Sequence, residues 1–198
     1  QVLLALVVAA IVGTCGMLIG YACVRRRGSR LSRMVESLAF FPYLMPAMAF
    51  ATIYLAVATS ANFKFLYGTF GVLVLVASIK FLPFASRSGV NSMMQIAPEI
   101  EEAAVIFGVP WRTRMTRILF PIQKSSIISG YLLPVISVMR EVALFTLLVP
   151  YARYLLTTML FSFNETGYAQ YGSAVTLLII LITVSYTHLR AHETGRNL

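Results

Sequence analysis

The sequence predicts an all-α, multi-pass membrane protein built as a helical bundle with about five spanning helices. Of its 198 residues 59% are hydrophobic and 12% are charged, which is more apolar surface than one soluble core of this size can use. The apolar residues form runs long enough to cross a bilayer core of about 30 Å, and the basic residues cluster between these runs. The formal charge of +9 therefore indicates positive-inside loops rather than nucleic-acid binding.

The first predicted span, helix A, covers residues 2–23. Gly13, Gly16 and Gly20 place small residues at three- and four-residue spacing, which favours close packing against another helix. Because a dense arginine cluster follows this span, we expect a cytoplasmic loop there and a helix A that runs from outside to inside. The cluster consists of Arg25, Arg26, Arg27, Arg30 and Arg33.

Two further spans are predicted before the long polar segment. Helix B, over residues 36–59, carries Pro42 and Pro46 in its first half. Proline bends a spanning helix, and this bend serves either packing or the lining of a solute path. Helix C, over residues 68–84, contains Lys80, which we expect to extend its ammonium group to the cytoplasmic face.

A fourth span, helix D, is predicted over residues 125–149 with Arg140 and Glu141 near its middle. Ionisable groups near the bilayer centre are costly, so they normally face a bundle interior or a watery path. The two residues are therefore candidates for lining the path. The alternative is a structural role, because adjacent helical residues point about 100° apart and need not serve one site. Residues 150–168 are too polar to span and predict an external amphipathic segment.

Helix E is predicted over residues 169–183, about 15 residues or roughly 22 Å, which is short for a span. The residues that follow, VSYTHLRAHET from Val184, match the translation of a transposase adapter used in DNA library preparation. We therefore expect residues 184–198 to be non-native. Residues 1–183 then form a transmembrane domain that is incomplete at both ends. His188 and His192 lie in the adapter-like tail, so we do not assign them to a metal site.

The long polar segment is a predicted cytoplasmic loop over residues 86–124, and it contains a short helix. Pro98 suits the first turn of a helix, and the carboxylates that follow it favour the positive end of the helix dipole. Gly108 and Pro110 predict its end. A helix of about ten residues spans roughly 15 Å, half of the bilayer core, so it is expected to lie outside the membrane.

This segment resembles the EAA loop of bacterial ABC importer permeases. The motif reads EAA, three residues, G, nine residues and I-x-L-P, and Phe120 here replaces the usual Leu. The matching positions are Glu102, Ala103, Ala104, Gly108, Ile118 and Pro121. In that family the short helix is the coupling helix, which docks into the cytoplasmic ATPase subunit. Small residues such as Ala103 and Ala104 allow a helix to sit deep in a groove of its partner, and Glu102 offers the partner a charge to pair with.

The resemblance covers residues 2–183 and implies the rest of an importer. It implies a type I permease fold in the bacterial inner membrane, paired with a second permease subunit or half, an ABC ATPase subunit and an external solute-binding protein. The segments SIKFLPFASRSG and MREVALFTLLVP are most similar to those of ferric-iron importer permeases. Polyamine, phosphonate, sulfate and thiamine importers have related permeases.

Catalytic chemistry is not predicted for this chain. It has no GxxxxGK[ST] phosphate loop and no aspartate, and both histidines lie in the tail, so no catalytic, metal or cofactor site is expected. ATP is expected to be hydrolysed by a partner. The alternative function is a non-transport membrane component, such as an assembly factor or receptor, which would have no reason to carry an EAA loop with this sidedness.

Overall fold

The computed structural model describes residues 1–25, 29–60, 62–149 and 155–195, except for the side chains of residues 66 and 189–195. Over these ranges the chain is helical and contains no strand, which confirms the all-α prediction. In chain order the helices are α1 (Val2–Arg25), α2 (Arg30–Leu44), α3 (Ala47–Thr59), α4 (Phe70–Met94), α5 (Pro98–Ile106), α6 (Trp111–Ile122), α7 (Lys124–Arg140), α8 (Ala143–Leu148), α9 (Leu156–Glu165) and α10 (Ala169–Gly195).

Three of the described helices, α1, α4 and α10, are long and apolar enough to cross a membrane. Two further spans are formed by bent pairs, if each pair counts as one: α2 with α3, bent by 102°, and α6 with α7, bent by 83°. The described part of the chain therefore holds three to five spans, which agrees with the prediction of about five.

Helix B begins earlier than predicted and is broken. Ser29 caps α2, because its side chain accepts a hydrogen bond from the backbone of Ser32. Pro42 remains inside α2, whereas Pro46 stands just before α3, so the sharp bend falls at the second proline. Proline lacks the N–H that would continue the ladder, which is why the helix stops there.

Helix C extends further than predicted, since α4 continues past residue 84 to Met94. The segment 86–124 is consequently not a loop, because its first residues belong to a spanning helix and its last residues form α6. Lys80 lies well inside α4, not near its end, so the expected position at the cytoplasmic face is wrong.

Helix E also continues beyond its predicted end at Thr183, because α10 reaches Gly195. No glycine or proline follows Thr183 until Gly195, and Ile182 and Tyr186 pack against the main core. The short-helix argument for a foreign tail is therefore wrong. The match of residues 184–198 to an adapter stays a prediction about the coding DNA.

The core is centred on α1, which packs against both α4 and α7. Every fourth residue on one face of α1 is fully buried, as a helix surrounded by other helices requires. The buried residues of this core include Leu4, Val8 and Val12 of α1, Val76 and Phe81 of α4, Val138 and Met139 of α7, and Phe145 of α8.

Small residues bring α1 and α4 into backbone contact. A Cβ atom added to Gly16 would overlap the backbone of Ala85, and one added to Gly20 would overlap the backbone of Gly89. The order of these contacts shows that α1 and α4 run parallel, so that Arg25 and Met94 end at the same side of the bundle. The packing interpretation of the glycine pattern is confirmed.

Candidate functional site

The candidate site is the short helix α5, which follows α4 at the end of the bundle where α1 also finishes. Pro98 occupies its first turn. The helix closes through hydrogen bonds from the backbone of Gly108 to Val105 and from Val109 to Ala104, each 2.9 Å long. Gly108 has φ +69°, a left-handed conformation that favours glycine. The predicted helix and its stop are confirmed.

Glu101 is the buried carboxylate of this helix. The Tyr21 hydroxyl donates to its Oε1 over 2.6 Å, and Arg25 Nε donates to its Oε2 over 2.7 Å. Arg114 Nε of α6 lies 3.6 Å from Oε1. The Tyr21 ring meets the edge of Trp111 at 6.2 Å between centroids. One carboxylate thus joins α5 to both α1 and α6.

The motif residues point in different directions. Glu102 and Ala103 are exposed, as docking into a partner requires. Ala104 is buried in its own protein, so the expectation that both alanines face a partner's groove is wrong. Ile118 is half-buried within a π-helical turn of α6, and Pro121 is exposed at the end of that helix.

The tip of α5 is apolar and solvent-accessible. Ile106 is 83% exposed and Phe107 is 85% exposed, more than any other large hydrophobic side chain of the described residues. Beneath the helix lies a cleft of about 720 Å³ that separates it from the ends of α1 and α4. The cleft is lined in part by Val24, Arg25, Met93, Met94, Glu101 and Val105.

Arg140 and Glu141 do not form a pair. The predicted helix D is interrupted here: Arg140 is the last residue of α7, and Glu141 lies between α7 and α8. The prediction of one continuous helix around these two residues is therefore wrong. Lys80 Nζ lies 3.3 Å from Glu141 Oε2, and each side chain is 13% exposed. Glu141 Oε1 also accepts a hydrogen bond of 3.0 Å from the backbone of Leu144. Arg140 is exposed and makes no ion pair with the described residues.

Sequence reasoning missed two of these roles. It treated Glu101 only as a dipole-stabilising carboxylate, although Glu101 and Ala104 lie three residues apart on one helix face that could have been recognised as the inward one. It did not pair Lys80 with Glu141, because no local pattern relates residues on helices so distant in sequence. Within the described residues no group of three His, Cys, Asp or Glu side chains could hold a metal ion.

A family comparison identifies the class of protein to which this fold and motif belong. Residues 13–192 match the model of the binding-protein-dependent transport system inner membrane component. The match covers most of the chain, so the chain belongs to this family. It is accordingly a multi-spanning protein of the bacterial inner membrane.

Curated relatives are phosphate transport permeases. The chain is 27% identical over 191 residues to the phosphate transport system permease protein PstA 1 of Mycobacterium tuberculosis (strain CDC 1551 / Oshkosh), covering 86% of this chain and 60% of that protein. It is 28% identical over 169 residues to the PstA protein of Mycobacterium leprae (strain TN), covering 77% and 53%. The chain thus spans little more than half the length of these relatives.

A solved structure has the same fold. The inward-facing MetNI methionine ABC transporter gives a TM-score of 0.75 at 15% identity, with 98% of this chain and 93% of that chain covered. At this identity the similarity concerns the fold alone, which is that of a type I ABC importer permease.

The ion pair between Lys80 and Glu141 gives a stability prediction. Glu141→Gln keeps an oxygen for the Leu144 backbone but leaves the Lys80 ammonium buried without its counter-charge. Removing one partner of a buried pair costs about 3–5 kcal/mol, so the thermal unfolding temperature in detergent should fall markedly. The double variant Lys80→Met with Glu141→Gln should recover much of this loss. Equal unfolding temperatures for wild type and Glu141→Gln would contradict the assignment.

Proposed function

We propose that this chain is the permease subunit of an ATP-driven importer. In this proposal its spanning helices, together with a second permease subunit or half, form the solute path through the lipid bilayer. The coupling helix α5 docks into a cytoplasmic ABC ATPase subunit, and an external solute-binding protein delivers the solute. The chain itself performs no catalysis and needs no cofactor.

The exposed apolar tip of α5 is the observation that supports this proposal most directly. Ile106 and Phe107 are almost fully accessible, and Glu102 and Ala103 are exposed beside them. Exposed apolar groups outside the membrane are costly in water unless a partner covers them. They belong to a motif that in this family docks into the ATPase. The surrounding arginines favour the cytoplasmic side for this end, following the positive-inside rule.

For the solute we propose a small oxyanion. The relatives described above are named as phosphate permeases, and none of them supports the ferric-iron expectation. Arg140 is an exposed cation next to the break between α7 and α8, whereas the nearby Lys80 is neutralised by Glu141. A positive group beside a discontinuous helix suits an anionic solute. Arg140 is therefore proposed to face the path.

The docking proposal is tested by Phe107→Ser. The side chain is exposed, so the variant should fold normally, but a central apolar anchor is lost. Truncation of such an anchor typically costs about 2 kcal/mol or more, which corresponds to roughly a 30-fold weaker hold on the ATPase. Co-purification of the ATPase with the permease measures this effect.

The matched control is Phe65→Ser, because Phe65 is 73% exposed in a short turn between α3 and α4, away from α5. It should retain the ATPase. Equal retention by both variants would refute docking through α5. Glu102→Arg should weaken retention as well, since it reverses an exposed motif charge.

The path proposal is tested by Arg140→Gln. Uptake of labelled phosphate into vesicles should fall about tenfold or more while the ATPase still co-purifies, because the change removes the charge and keeps a polar, hydrogen-bonding side chain. Arg140→Lys should retain part of the uptake. Loss of the assembled complex would favour a structural role for Arg140, and uptake of ferric iron without phosphate would overturn the proposed solute.

A further inference from the structure

We propose that Glu101, rather than the motif residue Glu102, is the positioning residue that carries movement of the coupling helix into the membrane helices. This inference rests on the proposed function, because it assumes that α5 is the element on which the ATPase acts. It goes beyond that function because it names the contact that transmits movement of α5 and the two helices, α1 and α6, to which the movement is transmitted.

The first observation is that α5 shares little apolar packing with the bundle, since Ala104 is the only one of its hydrophobic residues that is buried. The cleft of about 720 Å³ separates the helix from the ends of α1 and α4. Those ends are joined to α6 by a separate apolar cluster to which α5 contributes no residue. The cluster comprises Met93, Ile96, Met115 and Leu119, with Tyr21, Val24 and Phe120 packed against it. Helices α1, α4 and α6 therefore form one packed unit, and α5 stands beside it.

The second observation is that Glu101 alone bridges this gap with polar bonds. Among the described residues no other side chain of α5 makes a hydrogen bond or ion pair with another helix. The carboxylates of Glu99 and Glu102 are exposed and belong to neither network. Bonds from a carboxylate to a guanidinium and a hydroxyl are short and directional, so they transmit displacement better than an open cleft does.

The third observation is the charge balance around this carboxylate. The side chains of Arg25 and Arg114 are each 16% exposed, and Glu101 is the acid that faces both. Arg25 Nη2 and Arg114 Nε are buried and make no hydrogen bond within the described residues. Arg114 also donates from Nη1 to the Val109 carbonyl over 3.1 Å, but that acceptor carries no charge, and Glu101 is the only carboxylate of the described residues that pairs with either guanidinium. Removing the charge of Glu101 therefore frees α5 and leaves two cations uncompensated.

The experiment compares Glu101→Gln with Glu102→Gln, a matched change one residue away on the exposed face. In the first measurement, spin labels are placed at Ala22→Cys in α1 and Phe107→Cys at the tip of α5, after Cys15 and Cys23 have been replaced. The purified permease alone is reconstituted in nanodiscs. The distance distribution should broaden in Glu101→Gln and stay narrow in Glu102→Gln. Equal widths would overturn the proposed bridge without any assumption about the ATPase.

In the second measurement, the complete transporter with its ATPase and binding protein is assayed for uptake and ATP hydrolysis. In Glu101→Gln uptake should fall about tenfold or more while hydrolysis stays within about twofold and assembly is unchanged. Glu102→Gln should keep hydrolysis and uptake in their normal ratio. A broadened distance distribution with normal uptake per ATP would overturn the role in transmission. Failure of the wild-type chain to engage an ATPase would refute the proposed function and this inference with it.

Tyr21→Phe provides the test if Glu101→Gln does not fold. It removes only the hydroxyl that donates to Glu101 and leaves every charge in place. We expect uptake per ATP to fall in Tyr21→Phe as well, but several-fold less than in Glu101→Gln. Unchanged uptake per ATP and an unchanged distance distribution in Tyr21→Phe would count against the proposal.

Discussion

The close contact between α1 and α4 is the constraint on which the rest of this structure depends. Gly16 and Gly20 of α1 face Ala85 and Gly89 of α4 with no room for a side chain between the backbones. In a bilayer, helix association relies on such packing, because lipid tails are as apolar as leucine and supply no hydrophobic drive. The parallel seam brings the end of α1 beside the end of α4. Tyr21 and Arg25 can reach α5 only because α1 is held there.

The same bundle keeps its charged groups in compensated positions. Lys80 and Glu141 neutralise each other between α4 and the break of helix D, and Glu141 also satisfies a backbone N–H that the break sets free. A broken helix at membrane depth is tolerated where a neighbouring group meets the freed backbone. The interruption therefore follows from a residue that serves both the backbone and a charge partner. It leaves Arg140 as the exposed cation of this region.

The spans and the short helix α5 could be predicted from sequence because their signals are local. A few neighbouring residues are enough to predict a span from an apolar run, a loop from the arginine cluster, and a short helix from the residues Pro98 to Gly108. The helix ends could not be predicted so well. Whether α4 stops near residue 84 or continues to Met94 depends on its contacts with α1 and α7, because Gly89 inside this stretch packs against the backbone of Gly16 and does not end the helix. The partner of Glu141 at the break, Lys80, likewise lies on a helix far away in sequence.

The candidate site shows the same division. The motif identified α5 and its exposed Glu102, but it could not reveal that Glu101 turns inward to Arg25 and Arg114, because those partners lie far away in sequence. The burial of Ala104 likewise depends on how α5 packs in the folded chain. Sequence thus located the candidate functional helix, whereas the separation of its exposed face from its buried face required three-dimensional packing.

The central claim, that α5 is the cytoplasmic docking element for an ATPase, is tested most directly by site-specific crosslinking. A single cysteine at position 106, introduced as Ile106→Cys after replacement of Cys15 and Cys23, would be treated with a short bifunctional thiol reagent in membranes that contain the whole transporter. The account predicts a crosslink to the ATPase subunit and no labelling by an impermeant reagent added from outside the cell. External labelling, or the absence of an ATPase crosslink in an assembled transporter, would contradict it.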